Sequence, residues 1–386
     1  MNILFLACYC IEPSVGGVQR VTDTLTKELQ KRGHSVFFLS VQWKPLIPNY
    51  TTSAPQFYVD VEHDYLWKDY IKKIITENQI EYVINQMPGD LTNSVLEVLP
   101  PNVKIVSVFH TQPFLNDRIS RKQICQSRTY NFKQKIFKIV SFVFPRVRAC
   151  LFGKYESRNI RKAILISDRV CFISNRFFAR ILKHIPDFPK QKLVAINNPN
   201  TYVAPIVKAK KDNIVLWVGR VENGVKNTID FVKIWERLFL FNPDWKAIVA
   251  GDGEDLLQIR NYVKKRNIKN IDIIGRCDNV ELLYQKSKIV VVTSFTESWS
   301  MVLTEGMTYG CVPCAYDTYE TVHDIISDVS GFLSDASPSK MALKLQKLMS
   351  EDDLRNEMSN KAAEEVNKFS AEKIVDQWVE LLHSIV

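Results

Sequence analysis

Short runs of apolar and β-branched residues alternate with helix-like segments along almost the whole chain of 386 residues. The runs are nearly continuous in hydrophobicity, as strands are when helices cover both faces of a parallel sheet. In the amino-terminal half they lie at 3–8, 36–40, 82–85, 104–109, 169–173 and 193–196. In the carboxyl-terminal half they lie at 214–218, 245–250, 271–274, 289–293 and 311–315. The pattern predicts an α/β fold with parallel sheets.

The chain is too long for one ordinary hydrophobic core. Residues 198–213 contain Pro199, Pro205 and a lysine cluster and show no periodicity, which predicts a linker. We therefore expect two Rossmann-like domains, at 1–200 and 201–370, whose parallel sheets face a central cleft.

The composition indicates a globular protein. Hydrophobic residues make up 46% and charged residues 24%, and no run approaches 18 apolar residues, which predicts no membrane-spanning helix. The opening MNILFLACYC has no basic leader and continues into a glycine turn, so we interpret it as a buried strand rather than a signal peptide. The eight cysteines include Cys311 and Cys314, without a second pair or a histidine cluster nearby. We interpret the cysteines as buried, reduced thiols and expect a cytoplasmic protein.

A glycine pair stands between the first apolar run and the first helical segment. Gly16 and Gly17 occur in SVGGVQR, and the apolar positions after them repeat with helical spacing until Gly33. Paired glycines let the backbone approach a ligand closely, and the beginning of a helix favours an anion. A tight turn without a ligand explains the pair equally well from its local context. The chain has no G-x-G-x-x-G motif, which argues against a dinucleotide cofactor.

Two cations follow the apolar run at 214–218, in the stretch VGRVENGVKN. Arg220 comes just after the run, and Lys226 follows it. Cations beyond a parallel strand can neutralise a diphosphate without a metal ion, arginine through its two-pronged guanidinium and lysine as a point charge. Either residue alone is better explained as a solvated surface cation.

The strongest local pattern is SFTESWSMVLTEGMTYG, which follows the run at 289–293. Glu297 lies in a predicted loop, and Glu305 comes later, inside a predicted helix. Carboxylates above the sheet suit sugar and ribose hydroxyls, which they bind through paired hydrogen bonds. The alternative is two ordinary acids near a helix start, stabilised by the helix dipole.

These motifs occur in an order that resembles the family 4 glycosyltransferases of the GT-B fold: GGV-Q-R, GR-x5-KN, GDGE at 251–254 and E-x7-E. The segment FSAEKIVDQW at 369–378 is similar to the last helix of that family, which crosses back onto the first domain. The resemblance covers nearly the full chain. It implies a retaining transfer from a nucleoside-diphosphate sugar, most often a UDP-sugar, and a helix at 371–386 that packs on the domain 1–200.

The resemblance also implies which residues bind the donor phosphates. Gly16 and Gly17 would lie beside them, and Arg220 and Lys226 would hold the diphosphate and stabilise the charge of the leaving group. No two aspartates stand two positions apart, so the metal-binding Asp-x-Asp of the other large transferase class is missing. We therefore expect neither a metal ion nor another cofactor.

The donor sugar and ribose would be bound by the second motif. On the resemblance, Glu297 contacts the donor sugar, backbone amides near Trp299, Ser300 and Met301 assist, and Glu305 takes the ribose hydroxyls. The family usually has Gly-Phe-Gly directly after the first glutamate, where this chain has Ser-Trp-Ser.

A histidine ends a strong apolar run of the first half. His110, in VSVFHTQPF, would point into the cleft from the end of its strand. The family often has a histidine near this point, close to the donor sugar, and a neutral imidazole can donate or accept a hydrogen bond there. A purely structural histidine is the alternative.

The positive charge of the chain is concentrated in one segment. Residues 118–162 contain thirteen lysines and arginines and a single acid, Glu156, which gives +12 against +9 for the whole chain. Within 131–148 apolar residues fall on one helical face with Lys133, Lys135 and Lys138 beside it, which is typical of a helix lying in a membrane interface. An ordinary domain helix with a basic edge is the alternative. We expect 118–162 to bind an anionic membrane surface.

The predicted function is therefore the extension of a lipid-linked glycan in surface polysaccharide assembly. We expect a peripheral enzyme on the inner face of the cytoplasmic membrane. Two other functions share the predicted fold. One is a sugar-nucleotide 2-epimerase, which needs a cluster of acids and histidines that the sequence does not show. The other is a non-catalytic sugar-nucleotide-binding protein. A nucleic-acid partner is not expected, because no nucleic-acid-binding motif accompanies the basic segment.

Overall fold

The computed structural model describes residues 1–41, 52–115, 123–124, 132–203 and 210–385. Their contacts define two compact units, each treated by itself below. Unit 1 comprises Met1–Asp117, Ala149–Thr201 and Phe369–Val386. Unit 2 comprises Arg118–Arg148 and Tyr202–Lys368.

Unit 1 contains a seven-stranded parallel sheet. Its strands are β1 (Asn2–Ala7), β2 (Ser35–Ser40), β3 (Gln56–Tyr58), β4 (Tyr82–Asn85), β5 (Lys104–Phe109), β6 (Arg169–Phe172) and β7 (Leu193–Ala195). Their order in the sheet is β3-β2-β1-β4-β5-β6-β7. The order reverses between β1 and β4, as it does in Rossmann-like sheets.

Unit 2 contains a six-stranded parallel sheet. Its strands are β8 (Asp212–Val218), β9 (Lys246–Ala250), β10 (Ile271–Gly275), β11 (Ser287–Val292), β12 (Val312–Tyr316) and β13 (Phe332–Ser334). Their order is β10-β9-β8-β11-β12-β13, so the strand order reverses between β8 and β11. In open α/β sheets ligands bind beyond the carboxyl ends of the strands at such a reversal.

Helices connect the strands in both units. Within the described residues they are, in chain order, α1 (Gly17–Lys31), α2 (Trp67–Glu77), α3 (Asp90–Leu96), α4 (Phe132–Val143), α5 (Pro145–Ile166), α6 (Phe178–His184), α7 (Thr228–Glu236), α8 (Leu256–Lys265), α9 (Val280–Lys286), α10 (Met301–Thr308), α11 (Val322–Ile325), α12 (Pro338–Ser350), α13 (Asp352–Glu365) and α14 (Ala371–His383). In the part of the chain that the structure describes, none of them is long and apolar enough to cross a membrane.

The first helix forms where the periodicity predicts it. Val21, Leu25 and Leu29 of α1 are buried against the sheet. After the helix ends, Gly33 takes a φ of +81°, and its N–H donates to the carbonyl of Gln30 at 2.9 Å. This left-handed residue turns the chain sharply into β2.

The last helix packs on the first one within unit 1. Two nitrogens of the Arg32 guanidinium, at the end of α1, donate to Asp376 Oδ1 at 2.6 Å and to the carbonyl of Glu372 at 2.7 Å in α14. Ser370 caps α14 by accepting the N–H of Lys373. The carboxyl-terminal residues therefore belong to the same compact unit as β1.

The contact-based division differs in one segment from boundaries at 1–200 and 201–370. Residues 118–148, which precede most of α5 in the chain, group with unit 2. Part of the predicted linker, 204–209, and much of the basic segment, 116–122 and 125–131, lie outside the described residues.

The prediction of buried thiols is confirmed for four of the seven described cysteines, whereas Cys8 and Cys277 are only half-buried and one further thiol is exposed. Cys10, Cys171, Cys311 and Cys314 are buried, and burial raises the pKa of the Cys171 and Cys314 thiols to about 12. Cys150 is exposed instead, because it lies on the outer part of α5 rather than in a sheet.

Two glycines hold the loop after β9 against the loop after β8. The N–H of Val221 donates to the carbonyl of Asp252 at 2.9 Å, which brings the two backbones together. Gly251 has a φ of +142°, and a Cβ atom placed there would lie 1.8 Å from the carbonyl oxygen of Gly219. A Cβ at Gly253 would lie 2.5 Å from the carbonyl oxygen of Val221. Only glycine fits this close approach.

Substitution of Gly251 by alanine should therefore destabilise unit 2 strongly. The added methyl group meets a backbone oxygen and an unfavourable φ together, so we expect a loss of about 3 kcal/mol or more in the free energy of unfolding. Gly275→Ala is the matched control, because its φ is +75° but the nearest atom to the new Cβ is a flexible arginine nitrogen at 3.7 Å. The control should lose only about 1–2 kcal/mol. Equal losses in chemical denaturation would contradict the steric argument.

Candidate active site

The predicted motifs of unit 2 lie at the reversal of strand order. The loop that carries Arg220 and Lys226 follows β8, and the loop that carries Glu297 follows β11. Since β8 and β11 are neighbouring parallel strands, both loops leave the same carboxyl edge of the sheet. The sequence thus places both motifs at the position where open α/β sheets bind ligands.

The centre of this site is an ion pair between the two motifs. Lys226 Nζ donates to Glu297 Oε1 at 2.6 Å, and the hydroxyl of Ser294 donates to the same oxygen at 2.7 Å. The two charged side chains are only 27% and 12% exposed. The structure therefore holds a cation and a carboxylate together in a partly dehydrated position, where both interact more strongly with a ligand than they would in water.

Hydrogen bonds below the ion pair fix its two loops to each other. The N–H of Phe295 donates to the carbonyl of Val225 at 2.8 Å. The hydroxyl of Thr293 donates to the carbonyl of Asn227 at 3.0 Å and accepts the indole N–H of Trp217 at 3.1 Å. These bonds set the distance between the cation and the carboxylate independently of their own attraction.

A left-handed asparagine ends the loop that carries Arg220 and Lys226, which is called the cation loop below. Asn227 has a φ of +53° and stands directly before α7. Asparagine adopts this conformation more readily than most residues, and its side-chain amide donates to Asp230 at 2.9 Å. In the Lys-Asn pair of the sequence motif, backbone geometry therefore accounts for the asparagine and charge accounts for the lysine.

The second predicted cation is more exposed. Arg220 follows β8 with a side chain that is 68% exposed, and its Nε contacts Glu222 at 3.0 Å. Glu222 in turn accepts the N–H groups of Lys226 and Asn227 through its main-chain carbonyl. The guanidinium is thus held on the cation loop by a solvent-exposed partner that an anionic ligand can displace.

Glu305 lies in α10 and is almost fully buried, at 2% exposure. The hydroxyl of Tyr284 donates to Glu305 Oε2 at 2.9 Å. The Tyr284 ring stacks on Tyr309 at 6.3 Å between centroids, and Tyr309 donates to Glu281 at 2.6 Å. Sequence reasoning missed Tyr284, because VELLYQK gives no signal beyond an ordinary helix.

The residues between the two glutamates begin the helix. Trp299 is buried, and Ser300 stands at the N-cap position of α10. The amide of Met301 donates to the carbonyl of Trp299 at 3.2 Å. Tyr319, also missed from the sequence, lies buried beside Glu297 and Ser300, and burial together with the nearby Glu297 charge raises the pKa of its phenol. A neutral tyrosine therefore lies beside Glu297.

The glycine pair lies in unit 1, after the carboxyl end of β1. Gly16 is the extended residue before α1, and Gly17 is the first residue of the helix. The first turn of α1 has no acidic side chain, and no side chain caps it. The beginning of a 15-residue helix without a capping side chain is suited to an anion.

His110 lies directly after β5, at the same edge of the unit 1 sheet as the glycine pair. Its Nε2 is hydrogen bonded to Gln86 Oε1. Removal from water lowers the pKa of His110 to about 4, although contact with Asn198 acts in the opposite direction. The ring is therefore neutral near pH 7, as the prediction from the sequence requires for a hydrogen-bonding role.

Two family descriptions match consecutive parts of this chain. "Glycosyltransferase Family 4" matches residues 15–199, and "Glycosyl transferases group 1" matches residues 200–365. Solved glycosyltransferases with the same fold include TarM of S. aureus, with a TM-score of 0.73 and 14% identity over the full length of both chains. HepE of Anabaena has a TM-score of 0.71 and 14% identity, also over both full chains. The protein belongs to the family 4 glycosyltransferases of the GT-B fold.

Curated relatives share higher identity than these solved structures, over varied lengths. A Campylobacter jejuni enzyme, GalNAc-alpha-(1->4)-GalNAc-alpha-(1->3)-diNAcBac-PP-undecaprenol alpha-1,4-N-acetyl-D-galactosaminyltransferase, is 29% identical over 46% of this chain and 49% of its own. The present chain thus spans about half the length of that relative. An uncharacterized glycosyltransferase of Haemophilus influenzae is 24% identical over 96% of this chain and 97% of its own.

The low pKa of His110 predicts how stability depends on pH. Unfolding raises this pKa from about 4 to its ordinary value near 6.5, so the unfolded chain binds more protons between those values. Stability should be complete above about pH 6.5 and fall as the pH is lowered towards 4, by about 1–3 kcal/mol from this residue.

Chemical denaturation at pH 7 and pH 4.5 checks this expectation. Between the two pH values the free energy of unfolding of His110→Gln should fall by about 1–3 kcal/mol less than that of the wild type. His63→Gln, which changes an exposed histidine of the same unit, should behave as the wild type does. Identical losses for wild type and His110→Gln would show that the ring is not held neutral by burial.

Proposed function

We propose that the protein transfers a sugar from a nucleoside-diphosphate sugar to a glycan acceptor, with retention of the anomeric configuration and without a metal ion or other cofactor. The observation that carries the proposal is the Lys226–Glu297 ion pair at the reversal of strand order in unit 2. It combines a cation suited to a diphosphate with a carboxylate suited to sugar hydroxyls.

The proposed chemistry depends on charge that develops on the leaving group. When the bond from the sugar to the nucleoside diphosphate breaks, negative charge builds on the β-phosphate. Lys226 and Arg220 would stabilise it as fixed cations, the role that a metal ion has in other transferases. In a retaining transfer the acceptor hydroxyl attacks from the leaving-group face, and the departing phosphate takes its proton. This step needs no separate base from the chain.

We infer a UDP-sugar as the donor. The support comes from HepE, solved with UDP and glucose, and from TarM, solved with UDP and alpha-GlcNAc-glycerol. Glu305 would accept hydrogen bonds from the ribose hydroxyls while Tyr284 fixes its carboxylate. In unit 1, Gly17 at the beginning of α1 and the neutral His110 keep the roles that the sequence predicts for them, beside the donor phosphates and the donor sugar.

We also infer a lipid-linked glycan as the acceptor, in surface polysaccharide assembly. The Campylobacter jejuni relative has a glycan on PP-undecaprenol in its name, and an Erwinia amylovora relative is an amylovoran biosynthesis glycosyltransferase. Such an acceptor places the enzyme at the inner face of the cytoplasmic membrane.

The surface of α4 supports a membrane-bound position. Ile136, Phe137, Ile139, Val140 and Val143 are all exposed, with Ile139 reaching 63%. The apolar side chains extend around more of the helix than the single face that the sequence predicts, because Phe137 is exposed as well. A run of exposed apolar residues with interspersed lysines suits the interface of an anionic bilayer, where each cation contributes roughly 1 kcal/mol.

One experiment distinguishes transfer from the two alternative functions. The protein is incubated with UDP-, GDP- and ADP-sugars and a lipid-linked acceptor, while released nucleotide, product and any epimerised donor are followed. A transferase releases nucleotide and forms a product whose anomeric configuration matches the donor by NMR. Epimerised donor without product would indicate a 2-epimerase, and binding without turnover would indicate a sugar-nucleotide-binding protein. Strict dependence on added Mg²⁺ or Mn²⁺ after EDTA treatment would contradict the metal-free mechanism.

Removal of the buried cation should reduce the transfer rate. Lys226→Ala deletes a charge-assisted contact to the diphosphate, so kcat/KM should fall by about 10- to 100-fold, with part of the loss in kcat. Arg220→Ala should reduce kcat/KM by a smaller factor, because the side chain of Arg220 is more exposed. The control is Lys246→Ala, which removes an exposed ion pair with Asp272 at the amino end of β9 and should leave kcat/KM unchanged. Full turnover in the Arg220→Ala/Lys226→Ala double variant would exclude this site.

Membrane binding should depend on the lysines of α4. Co-sedimentation with liposomes should increase with anionic lipid and decrease with salt, because the attraction is electrostatic. Replacement of Lys133, Lys135 and Lys138 by glutamate should abolish it.

The matched control changes the same amount of charge elsewhere. Lys264, Lys265 and Lys269 are exposed on unit 2 outside the segment, and their replacement by glutamate should weaken binding only slightly. If wild-type protein stays in the supernatant at low salt with anionic vesicles, α4 is an ordinary domain helix.

A further inference from the structure

Three tyrosines of unit 2 form a cluster beside Glu305. The rings of Tyr284 and Tyr309 stack, with 6.3 Å between their centroids and 7° between their planes. The ring of Tyr202 packs edge-on against both, at 6.2 and 5.8 Å between centroids. Such separations and angles are favourable for aromatic pairs. These three residues, called the tyrosine cluster below, come from separate parts of the chain, which precede β8, lie in α9 and follow α10.

The two stacked phenols donate to different carboxylates. The hydroxyl of Tyr284 donates to Glu305 Oε2 at 2.9 Å, whereas the hydroxyl of Tyr309 donates to Glu281 Oε1 at 2.6 Å. Both tyrosines are buried, at 0% and 6% exposure. They therefore share one ring stack and differ in the carboxylate that each of them binds.

The position of the Tyr284 phenol is fixed through its main chain as well as its ring. The carbonyl of Tyr284 accepts hydrogen bonds from Lys211 Nζ at 3.0 Å and from Cys311 Sγ at 3.2 Å. Lys211 Nζ also donates to the carbonyl of Ser287, directly after α9. A cation bonded to the last carbonyls of a helix stabilises the end of that helix. Because the ring is packed within the tyrosine cluster too, the phenol has little freedom to move away from Glu305.

The two glutamates of the E-x7-E motif are held by different kinds of donor. Glu297 accepts a hydrogen bond from a cation, Lys226, and Glu305 accepts one from a neutral phenol. A phenol orients a carboxylate without cancelling its charge, and a charged acceptor forms stronger hydrogen bonds than a neutral one. A carboxylate has about four acceptor positions, so the bond from Tyr284 is compatible with further hydroxyl donors. This arrangement suits a ligand that presents neighbouring hydroxyl groups.

The burial of Glu305 makes a missing hydroxyl donor costly. The residue is only 2% exposed, so water does not readily replace a donor that a ligand lacks. A site built to bond a hydroxyl group therefore rejects an analogue without that group far more strongly than an apolar pocket rejects a change of size. The penalty is full only while the carboxylate keeps one orientation. A carboxylate that is free to turn finds other donors, and the rejection becomes weaker.

We propose that Tyr284 is a positioning residue that makes unit 2 selective for a ribonucleoside diphosphate over its 2′-deoxy counterpart. It holds the Glu305 carboxylate in the orientation that accepts both ribose hydroxyls. The proposal rests on the proposed function, in which Glu305 binds the ribose, and adds the origin of the selectivity at that position. Removal of the phenol leaves the charge of Glu305 in place but allows its carboxylate to turn, so the selectivity decreases.

Nucleotide binding measures this selectivity directly. The affinities of wild type, Tyr284→Phe and Tyr309→Phe for UDP and 2′-deoxy-UDP are compared by isothermal titration calorimetry. Wild type should bind UDP about 100-fold more tightly than 2′-deoxy-UDP. This preference should fall by about tenfold or more in Tyr284→Phe. The matched control Tyr309→Phe keeps the ring stack and loses a bond to a different carboxylate, so it should keep the preference within about twofold.

Two results of this comparison would overturn the proposal. One is an equal affinity of wild type for the two nucleotides. The other is a wild-type preference in Tyr284→Phe, because a purely structural loss weakens the binding of both nucleotides by the same factor.

A double-mutant cycle tests whether the phenol acts through Glu305. In a Glu305→Met background, Tyr284→Phe should change the affinity for UDP by no more than about twofold, since the group that the phenol orients is absent. A loss of about tenfold in that background would show that Tyr284 supports the site independently of Glu305 and would overturn the proposal. The cycle also decides the matter if Tyr284→Phe fails to fold by circular dichroism, because the double variant leaves no buried carboxylate without its donor.

Failure of this proposal is distinguishable from failure of the proposed function. Sugar transfer from a UDP-sugar, together with a nucleotide preference that does not depend on Tyr284, would overturn this proposal alone. A preference that depends on Tyr284, without transfer from any donor, would overturn only the proposed transfer. If wild type binds no nucleoside diphosphate, the proposed function fails, and this proposal fails with it.

Discussion

The ion pair between Lys226 and Glu297 connects the two loops on which the site of unit 2 depends. A lysine that extends from one loop and a carboxylate that extends from the next would not remain together by attraction alone, because an isolated pair near the surface contributes little. The structure fixes their separation through the main chain, with Thr293 and Phe295 bonded to the cation loop. The reversal of strand order makes this possible, since it places loops far apart in sequence on adjacent strands. The fold therefore holds the pair in place, and a ligand that binds it need not first order the loops.

Most of the sheet structure could be predicted from the sequence, because long parallel strands are buried on both faces and appear as continuous apolar runs. One edge strand of each sheet shows the limit of this signal. Strands β3 and β13 have three residues each and are mostly half-buried, so their hydrophobicity is no greater than that of a loop. They form because the outer sides of β2 and β12 offer backbone hydrogen bonds, as the register of Phe38 with Gln56 shows. No local pattern in the sequence records such pairing.

The candidate site likewise contains residues that a local sequence motif predicts and residues that no local motif predicts. Glu297 and Glu305 were found from one continuous motif and its resemblance to a family. Tyr284, which bonds Glu305, and Tyr319, which lies beside Glu297, come from other elements and carry no motif of their own. A buried carboxylate needs hydrogen-bond donors, so such partners must exist, but the sequence does not say which residues supply them.

In the basic segment, 118–162, composition gives the total charge, and the structure shows how the described part of that charge is distributed. From the sequence its thirteen cations form one undivided charge, for which we predict an anionic membrane surface as the partner. In the structure the described cations fall into different environments. Arg161 and Lys162 are bound to Asp187 and Asp90 and hold α5 to its neighbours, so their charge is largely neutralised. Lys162 and, more weakly, Arg158 lower the pKa of the Asp90 carboxyl, so two cations act on one acid, and Lys154 lines a cavity together with them. The charge of the segment is therefore divided, in its described part, between cations in ion pairs that hold α5 to its neighbours and cations exposed at the surface.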